Sequence, residues 1–199
     1  RSGTYKKVLV IGADAMSRTA DYTDRGTCIL FGDGAGAAIL EPAAPGKGMK
    51  HISIHADGSG WDLIHMPAGG SRTPASHETV DQRQHYTQMR GREVYKFAVE
   101  KMQWLMGNSM DSCSMTADDI DLVVPHQVNM RIIDSAAQRF GFPREKLFVN
   151  IEEYGNTSAA SIPIALAEAM DAGRIQEGST VMLVAFGAGL TWGGAILQF

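Results

Sequence analysis

The stretch VVPHQVNMR (Val123–Arg131) contains the change of pattern on which the interpretation of this chain rests. An apolar run ends at Pro125, His126 follows at once, and a helical pattern begins near Asn129. We therefore expect a buried strand, from about Ile120 to Val124, that delivers His126 to the start of a helix. A histidine at such a junction is typical of functional sites, where titratable groups with altered pKa values collect, and equally of a satisfied structural residue.

The composition is that of a globular protein with enough apolar residues to bury a sizeable core. Of the 199 residues, 44% are hydrophobic and 20% are charged. The net charge of −4 and the lack of a dense Lys/Arg run argue against non-specific binding of nucleic acid. No apolar run approaches the roughly 18 residues of a membrane span, and no signal peptide is visible. We expect a cytoplasmic protein that binds neither nucleic acid nor a membrane.

The two cysteines, Cys28 and Cys113, form neither a metal-binding spacing nor a CxxC motif. This usage is typical of a reducing compartment, and it predicts no metal site. The first residues, Arg1–Thr4, include no initiator Met, and a strand-like run begins directly at Lys6. We therefore expect the chain to begin in the middle of a fold.

Strands and helices alternate from Ile120 to Phe199, which predicts the α/β class. Nearer the N-terminus, Val8–Ile11 indicates a buried strand. The apolar runs Cys28–Phe31 and Ala37–Leu40 flank GDGAG, a sharp glycine-rich turn. They predict an antiparallel pair or a strand–turn–strand with very close backbone packing. No helix follows these glycines, so the pattern is not that of a dinucleotide-binding loop.

The remaining elements are predicted from periodicity and from turn residues. The run His51–His55 alternates like a half-exposed strand, with both histidines on its surface. A polar surface loop is expected over Gly69–Gln84. Apolar residues at helical spacing predict two amphipathic helices, and a Gly-Asn turn predicts the start of a third helix of small residues. Two further runs predict strands around a glycine-rich turn. The helices are Met89–Asn108, Ile132–Phe140 (closed by Gly141) and Ala160–Ala172, and the strands are Thr180–Phe186 and Ala195–Phe199, around Gly187–Gly193.

Three loops at strand ends or helix starts carry residues suited to one chemistry. They are PHQVN, GNTSAAS and FGAGLTWG, which contain His126, Asn156 and Ala188. A His and an Asn side chain can both donate hydrogen bonds to a developing enolate or oxyanion, and backbone N–H groups beside glycines can form an oxyanion hole. The set suits chemistry at a carbonyl group, but it lacks a nucleophile.

These residues resemble a known family, the β-ketoacyl-acyl-carrier-protein synthase III enzymes of the thiolase superfamily. Several motifs agree in order and spacing, and the resemblance covers nearly the whole chain. The motifs are TDRGTCILFGDGAGAAIL (Thr23–Leu40), ADGSG (Ala56–Gly60), GREVYKFAV (Gly91–Val99), PHQVNMRII (Pro125–Ile133), EEYGNTSAASIPIAL (Glu152–Leu166) and AFGAGLTWGGAIL (Ala185–Leu197).

The resemblance implies a thiolase-like αβαβα layered fold built from two similar halves, each a βαβαβαββ unit. Residues 1–44 would form the end of the N-terminal half, and residues 45–199 would form the C-terminal half. The last two predicted strands match the antiparallel finish of such a unit. Glycine-rich turns before Leu40 and before Leu197 would be equivalent positions in the two halves.

The resemblance also implies a reaction. Family enzymes condense an acyl group from acyl-coenzyme A, here acetyl-coenzyme A, with malonyl-acyl-carrier protein to begin fatty-acid synthesis, and CO₂ is lost. They use no cofactor, since the coenzyme A thioester is a substrate, and they act as homodimers. His126 and Asn156 occupy the positions that stabilise the enolate. The backbone N–H of Ala188 occupies part of the oxyanion hole.

Five further residues match binding positions of the family. Phe31 corresponds to an aromatic residue of the acyl pocket. Arg25 corresponds to an arginine that stacks on the adenine of coenzyme A, and Asn129 to a contact of the pantetheine arm. Lys96 and Arg131 correspond to basic residues that receive the acidic carrier protein.

The departure from the family concerns the nucleophile, a cysteine that lies upstream of this segment in family members. Neither Cys28 nor Cys113 shows the helix-start or basic context of a reactive thiol. We therefore expect a C-terminal portion that lacks a nucleophile-bearing N-terminal portion and is inactive alone. Two alternatives stay open. One is another thiolase-superfamily condensation in which coenzyme A presents the malonyl unit, and the other is a non-catalytic, dimer-forming half that is inert without its complement.

Overall fold

The computed structural model describes residues 4–199, so Arg1–Gly3 of the predicted mid-fold start lie outside the described residues. Eight strands and five α-helices follow one another within residues 4–199. The strands are β1 Val8–Ala15, β2 Asp33–Leu40, β3 Gly48–Ala56, β4 Ile64–His65, β5 Gln88–Met89, β6 Leu122–Pro125, β7 Thr180–Gly187 and β8 Thr191–Gln198. The helices are α1 His77–Asp81, α2 Gly91–Cys113, α3 Met130–Arg139, α4 Ile151–Tyr154 and α5 Ser161–Asp171.

A four-stranded mixed sheet in the order β3-β8-β7-β6 forms the centre of the molecule. Strands β6 and β7 are parallel, whereas β8 is antiparallel to both of its neighbours. Because successive side chains of a strand point to opposite faces, β6 supplies two cores. Val123 packs with α2 and α3 on one face, and Leu122 and Val124 pack with α5 on the other.

The other large pairing is the antiparallel ribbon of β1 and β2, which packs against α5 and the turn before it. Helix α5 therefore lies between the ribbon and the four-stranded sheet, with α2 and α3 outside that sheet. This arrangement gives four successive layers, α-β-α-β, in residues 4–199. The predicted α/β class is confirmed.

The prediction of a turn at GDGAG is wrong, because Asp33–Gly36 belong to strand β2, whereas the predicted close backbone packing is present. The residues of β2 pair one for one with β1, from Asp33 opposite Ala15 to Leu40 opposite Val8. The glycines allow backbone to approach backbone. A Cβ on Gly32 would lie 1.9 Å from the carbonyl oxygen of Tyr154, and a Cβ on Gly12 would lie 2.1 Å from that of Ala159. Residues 28–30, predicted as a strand, form a turn instead.

Strand β3 was predicted correctly, but the orientation of its side chains was not. Ile52 and Ile54 are exposed, at 55% and 83%, while His51 and His55 turn inward. The ring of His55 stacks on Trp192 and meets Trp104 edge-on. The prediction of surface histidines is therefore wrong, because residue polarity does not tell which face of an alternating strand is covered by a helix.

The predicted helices are confirmed, with shifted ends. Helix α2 begins at Gly91 and continues to Cys113, five residues beyond the predicted end. Helix α3 ends at Arg139, and Gly141 after it has a φ of +72°, as expected of a residue that ends a helix. The glycine-rich turn between β7 and β8 is shorter than predicted and consists of residues 188–190.

Candidate active site

A cavity of about 740 Å³ opens where the three predicted loops meet. His126, Asn156 and Ala188 all line it, and so does Phe31. These four residues come from the end of β6, the loop before α5, the β7–β8 turn and the segment before β2. Residues separated by up to 157 positions in the sequence therefore face one space.

His126 is buried and held in a fixed orientation. Its backbone N–H donates to the carbonyl of Val184 (2.8 Å), which continues the pairing of β6 with β7 past Pro125. Its ring nitrogen Nδ1 lies 2.6 Å from the Oγ of Ser161, and its ring meets that of Phe186 edge-on. Burial lowers the pKa of His126 from 6.5 to about 4, because it disfavours the charged form. The imidazole is therefore neutral at pH 7.

Asn156 is bound to the segment that carries Phe31. The backbone N–H of Asn156 donates to Leu30 (2.8 Å), and its carbonyl accepts from the N–H of Gly32 (3.0 Å). Its side-chain oxygen accepts from the N–H of Ser158 (2.9 Å). Within residues 4–199 no acceptor is bonded to its side-chain NH₂ group, which is left to donate to a molecule in the cavity.

Gln127 fixes the His126 loop relative to the Asn156 loop. Its side chain is buried, and its Nε2 donates to the carbonyls of Pro125 (2.8 Å) and Phe148 (3.2 Å). Its Oε1 accepts from the backbone N–H of Asn150 (3.0 Å), the residue before α4. One amide group thus connects the end of β6 to the short helix that leads into Asn156.

Glu168 of α5 binds the same short helix through two hydrogen bonds. Its carboxylate accepts from the side chain of Asn150 (2.8 Å) and from the hydroxyl of Tyr154. The hydrogen bond to Glu168 raises the pKa of Tyr154. Because both ends of α4 are bonded to Glu168, the loop that begins at Gly155 starts from a fixed position.

Ala188 lies at the tip of the β7–β8 hairpin, which is more open than the other walls of the cavity. The end of this tip is bound to the residue that follows β3, because Leu190 and Asp57 exchange two backbone hydrogen bonds, each of 2.8 Å. The N–H of Ala188 has no acceptor in the described part of the chain. It is available to a negatively charged oxygen in the cavity.

The other predicted binding residues lie outside the cavity lining. Arg25, Lys96 and Arg131 are exposed, and none of their side chains forms an ion pair within residues 4–199. Asn129 caps α3 by accepting from the N–H of Arg131 (2.9 Å). These four role assignments remain predictions.

Neither cysteine lines the cavity, so the described residues offer no thiol to the site. In the same part of the chain, no three His, Cys, Asp or Glu side chains lie close enough to hold a metal ion. Among residues 4–199 no helix combines the length and the apolar character needed to cross a bilayer.

The sequence interpretation missed several residues that shape the cavity. Ser161 contacts His126, and His55, Thr87 and Trp192 also contribute to the lining. Ser161 belongs to the GNTSAAS motif, so its proximity to Asn156 was visible, but its contact with His126 depends on the packing of α5 beside β6. Thr87 belongs to the polar segment after the predicted surface loop, and its N–H donates to the carbonyl of Thr19 (2.8 Å).

Comparison with known proteins matches the chain to one family in two parts. Residues 1–58 match the model of 3-oxoacyl-[acyl-carrier-protein] synthase III, and residues 110–199 match that of its C-terminal region. The β-ketoacyl-[acyl-carrier-protein] synthase III of Symbiobacterium thermophilum is 50% identical over 198 residues, which cover all of this chain and 60% of that protein. This chain belongs to the synthase III family.

Solved structures of synthase III proteins support the same conclusion. That of Thermus thermophilus is 44% identical with a TM-score of 0.89, over 100% of this chain and 60% of its own. That of Aquifex aeolicus is 40% identical with a TM-score of 0.88, over 100% and 59%. The predicted thiolase-like fold is confirmed. The chain spans about 60% of the length of these synthase III relatives, and the separate nucleophile-bearing portion stays a prediction.

Proposed function

We propose that this chain contributes the enolate-stabilising part of a β-ketoacyl-acyl-carrier-protein synthase III. The reaction is the decarboxylative condensation of an acyl-coenzyme A, here acetyl-coenzyme A, with malonyl-acyl-carrier protein, which begins fatty-acid synthesis. The observation that supports this proposal is the convergence of His126, Asn156 and the Ala188 turn on one cavity. Coenzyme A enters as a thioester substrate, no cofactor takes part, and the site of action is the cytoplasm.

The proposed roles follow from where charge develops. When the bond between the malonyl Cα and its carboxylate breaks, CO₂ leaves and the electron pair forms an enolate on the thioester carbonyl. Hydrogen-bond donors placed at that oxygen lower the barrier, and they act strongly in a site with little water. The side-chain NH₂ of Asn156 and one ring N–H of the neutral His126 would be these donors. A neutral imidazole is able to polarise a carbonyl in this way.

The second half of the reaction concerns Ala188. The enolate carbon attacks the acyl thioester held on the enzyme, and the carbonyl oxygen of that acyl group becomes negative before the thiolate leaves. Ala188 lines the cavity and its N–H has no acceptor in the described residues, which suits it to this oxygen. Phe31 would contact the acyl chain, since it lines the same cavity.

The nucleophile would come from polypeptide other than these 199 residues, because neither cysteine reaches the cavity.

We further propose the division into residues 1–44, which belong to the N-terminal half, and residues 45–199, which form the C-terminal half. The separate pairing of β1 with β2 supports it. Leu9, Ile11 and Ile39 of this ribbon are 59%, 63% and 66% exposed. Large exposed apolar surfaces mark interfaces, so this one supports a cover formed by further polypeptide or by the second subunit of a homodimer.

Substrate delivery would involve the residues outside the cavity. Arg131 stands at the first turn of α3, whose preceding loop carries His126, and its charge is exposed and unpaired in the described part of the chain. Together with Lys96 it would receive the acidic carrier protein. Arg25 would contact the adenine of coenzyme A, and the amide of Asn129 would contact the pantetheine arm.

The decisive test is a split between acyl uptake and decarboxylation, measured in the complete polypeptide that carries the nucleophile. His126→Ala should abolish release of CO₂ from malonyl-carrier protein and leave transfer of the acetyl group onto the enzyme intact. His77→Ala is the control, because His77 is an exposed histidine of α1 outside the cavity lining. An unchanged rate of CO₂ release in His126→Ala would contradict the proposed role.

The same assay separates the alternatives. Release of CO₂ from malonyl-coenzyme A in preference to malonyl-carrier protein would favour the other thiolase-superfamily condensation. A folded wild-type protein that neither takes up acetyl groups nor releases CO₂ would favour the non-catalytic, dimer-forming half. The 199-residue chain alone should form no condensation product.

Carrier-protein docking is tested by charge reversal at Arg131. Arg131→Glu should raise the KM for malonyl-carrier protein about tenfold, as expected for a charge that steers an acidic partner. The KM for acetyl-coenzyme A should stay unchanged. Lys50→Glu is the charge-matched control, since Lys50 is exposed on β3. Equal effects of Arg131→Glu on both substrates would argue against docking.

A further inference from the structure

His126 and Ser161 form a buried pair whose protons determine what the histidine presents to the cavity. His126 is 8% exposed and Ser161 is 2% exposed. The distance of 2.6 Å between Nδ1 and Oγ is that of a strong hydrogen bond. Because the ring is neutral, one nitrogen carries a proton and the other does not. The direction of this hydrogen bond therefore decides which nitrogen is which.

Two arrangements fit the distance. In the first, the Ser161 hydroxyl donates to Nδ1, and the ring proton is on Nε2. In the second, Nδ1–H donates to Oγ, and the serine proton must find another acceptor. Within residues 4–199 the Ser161 hydroxyl has no other hydrogen-bond partner. A buried hydroxyl proton without an acceptor costs about 1–3 kcal/mol, so the second arrangement is disfavoured.

The backbone does not compete for this nitrogen. The N–H of His126 is already bonded to Val184, and the carbonyl that precedes it, that of Pro125, accepts from Gln127. Ser161 is the first residue of α5, and that helix is held beside β6 by the core around Ala165 and Val124. The serine oxygen is therefore placed by the fold and does not depend on a mobile side chain.

We propose that Ser161 is a positioning residue that holds His126 in the tautomer with its proton on Nε2. This inference rests on the proposed function and deepens it. The Nε2 atom has no hydrogen-bond partner in the described part of the chain, and His126 lines the cavity. With the proton there, His126 and Asn156 present two donors to one oxygen. His126 then stabilises an enolate, and it has no lone pair at Nε2 with which to remove a proton from a substrate.

The tautomer is measured directly by long-range ¹H–¹⁵N correlation spectra of the ¹⁵N-histidine-labelled protein at pH 7. The His126 signal is assigned from its loss in His126→Ala. We expect Nε2 at the chemical shift of a protonated nitrogen and Nδ1 at that of an unprotonated one. In Ser161→Ala the two shifts should move toward each other as the tautomers mix. A wild-type Nδ1–H form, or equal mixing in the wild type, would overturn the proposal.

Two variants separate this role from a merely structural one. Ser161→Thr keeps the hydroxyl and should keep the wild-type shifts. Ser109→Ala removes a buried hydroxyl that has no partner in the described residues, and it should leave His126 unchanged. An altered His126 tautomer in Ser109→Ala of the same size as in Ser161→Ala would assign the effect to general packing and contradict the proposal.

Kinetics in the complete polypeptide give an independent readout. Ser161→Ala should lower the rate of malonyl decarboxylation roughly 3- to 10-fold, the effect of one hydrogen bond, and leave acetyl uptake unchanged. If the wild type shows no decarboxylation, the proposed function fails while the spectra still test the tautomer. If decarboxylation requires His126 but the spectra show Nδ1–H, the function stands and the role of Ser161 fails.

Discussion

Two glycine-rich segments adjoin the cavity in different ways: one follows Phe31 of its lining, and the other contributes Gly187 and Ala188 to it. GDGAG (Gly32–Gly36) begins at Gly32, in close backbone contact with Tyr154, and continues as strand β2. GAGL (Gly187–Leu190) ends strand β7 and forms an open hairpin tip, with Ala188 and Gly189 exposed. The first segment binds Asn156 through a backbone hydrogen bond, whereas the second leaves the N–H of Ala188 free of acceptors in the described residues.

The difference shows that glycine has two separate uses in one site. In GDGAG the absence of a Cβ allows β2 to lie directly on the loop that carries Asn156. In GAGL it provides a tight reversal, and Gly189 adopts a φ of +137°. One segment therefore fixes the loop that carries the Asn156 side chain, and the other leaves the backbone N–H of Ala188 without an acceptor in the described residues.

The largest loss of stability is expected from a methyl group at the close backbone contact of the first segment. In Gly32→Ala the new Cβ would lie 1.9 Å from the carbonyl oxygen of Tyr154, and neither backbone can withdraw easily. We expect a loss of about 4 kcal/mol in the free energy of unfolding, typical of the most severe single substitutions. Urea denaturation at pH 7 measures this loss.

The matched control lies in the open segment. In Gly187→Ala the nearest atom to the new Cβ is the Thr191 hydroxyl oxygen, at an ordinary distance of 3.6 Å. The free energy of unfolding should change by less than about 1 kcal/mol. Similar losses in Gly32→Ala and Gly187→Ala would break the distinction between the two segments.

A smaller change in the free energy of unfolding is expected when the pH is lowered, because the buried wall of the cavity contains His126. The unfolded chain takes up a proton on this residue near pH 6.5, whereas burial lowers the pKa in the folded state to about 4. Between these values the unfolded state binds more protons, so the free energy of unfolding falls as the pH falls. The total change across this window is on the order of 3 kcal/mol.

His126→Gln should remove this part of the pH dependence. Denaturation curves at pH 7, 6 and 5 would show a flatter decline than in the wild type, while His77→Gln should retain the full slope because His77 is exposed. An identical slope in His126→Gln and the wild type would show that the imidazole is solvated, which would contradict the buried wall.

Local sequence signals predicted much of the fold and the composition of the site. The change of pattern at Pro125 predicted the strand and the helix around His126. Helical periodicity predicted α2 and α3, and the Gly-Asn turn predicted the start of α5. Predictions failed where the structure of a segment depends on another element that packs against it. GDGAG was predicted as a turn because glycines are typical both of chain reversals and of close contacts between backbones. His55 was predicted on the surface because the helix that covers it begins 36 residues further on, at Gly91.

The sequence by itself determined the family and predicted that His126, Asn156 and Ala188 belong to one site, because these inferences depend on short motifs whose order and spacing are visible in the chain. Only the tertiary structure decided how those residues are held. Ser161 reaches Nδ1 of His126 because α5 packs beside β6, and Gln127 joins two loops that are 23 residues apart. Such contacts depend on the packing of distant segments in three dimensions, which no local pattern of residues encodes.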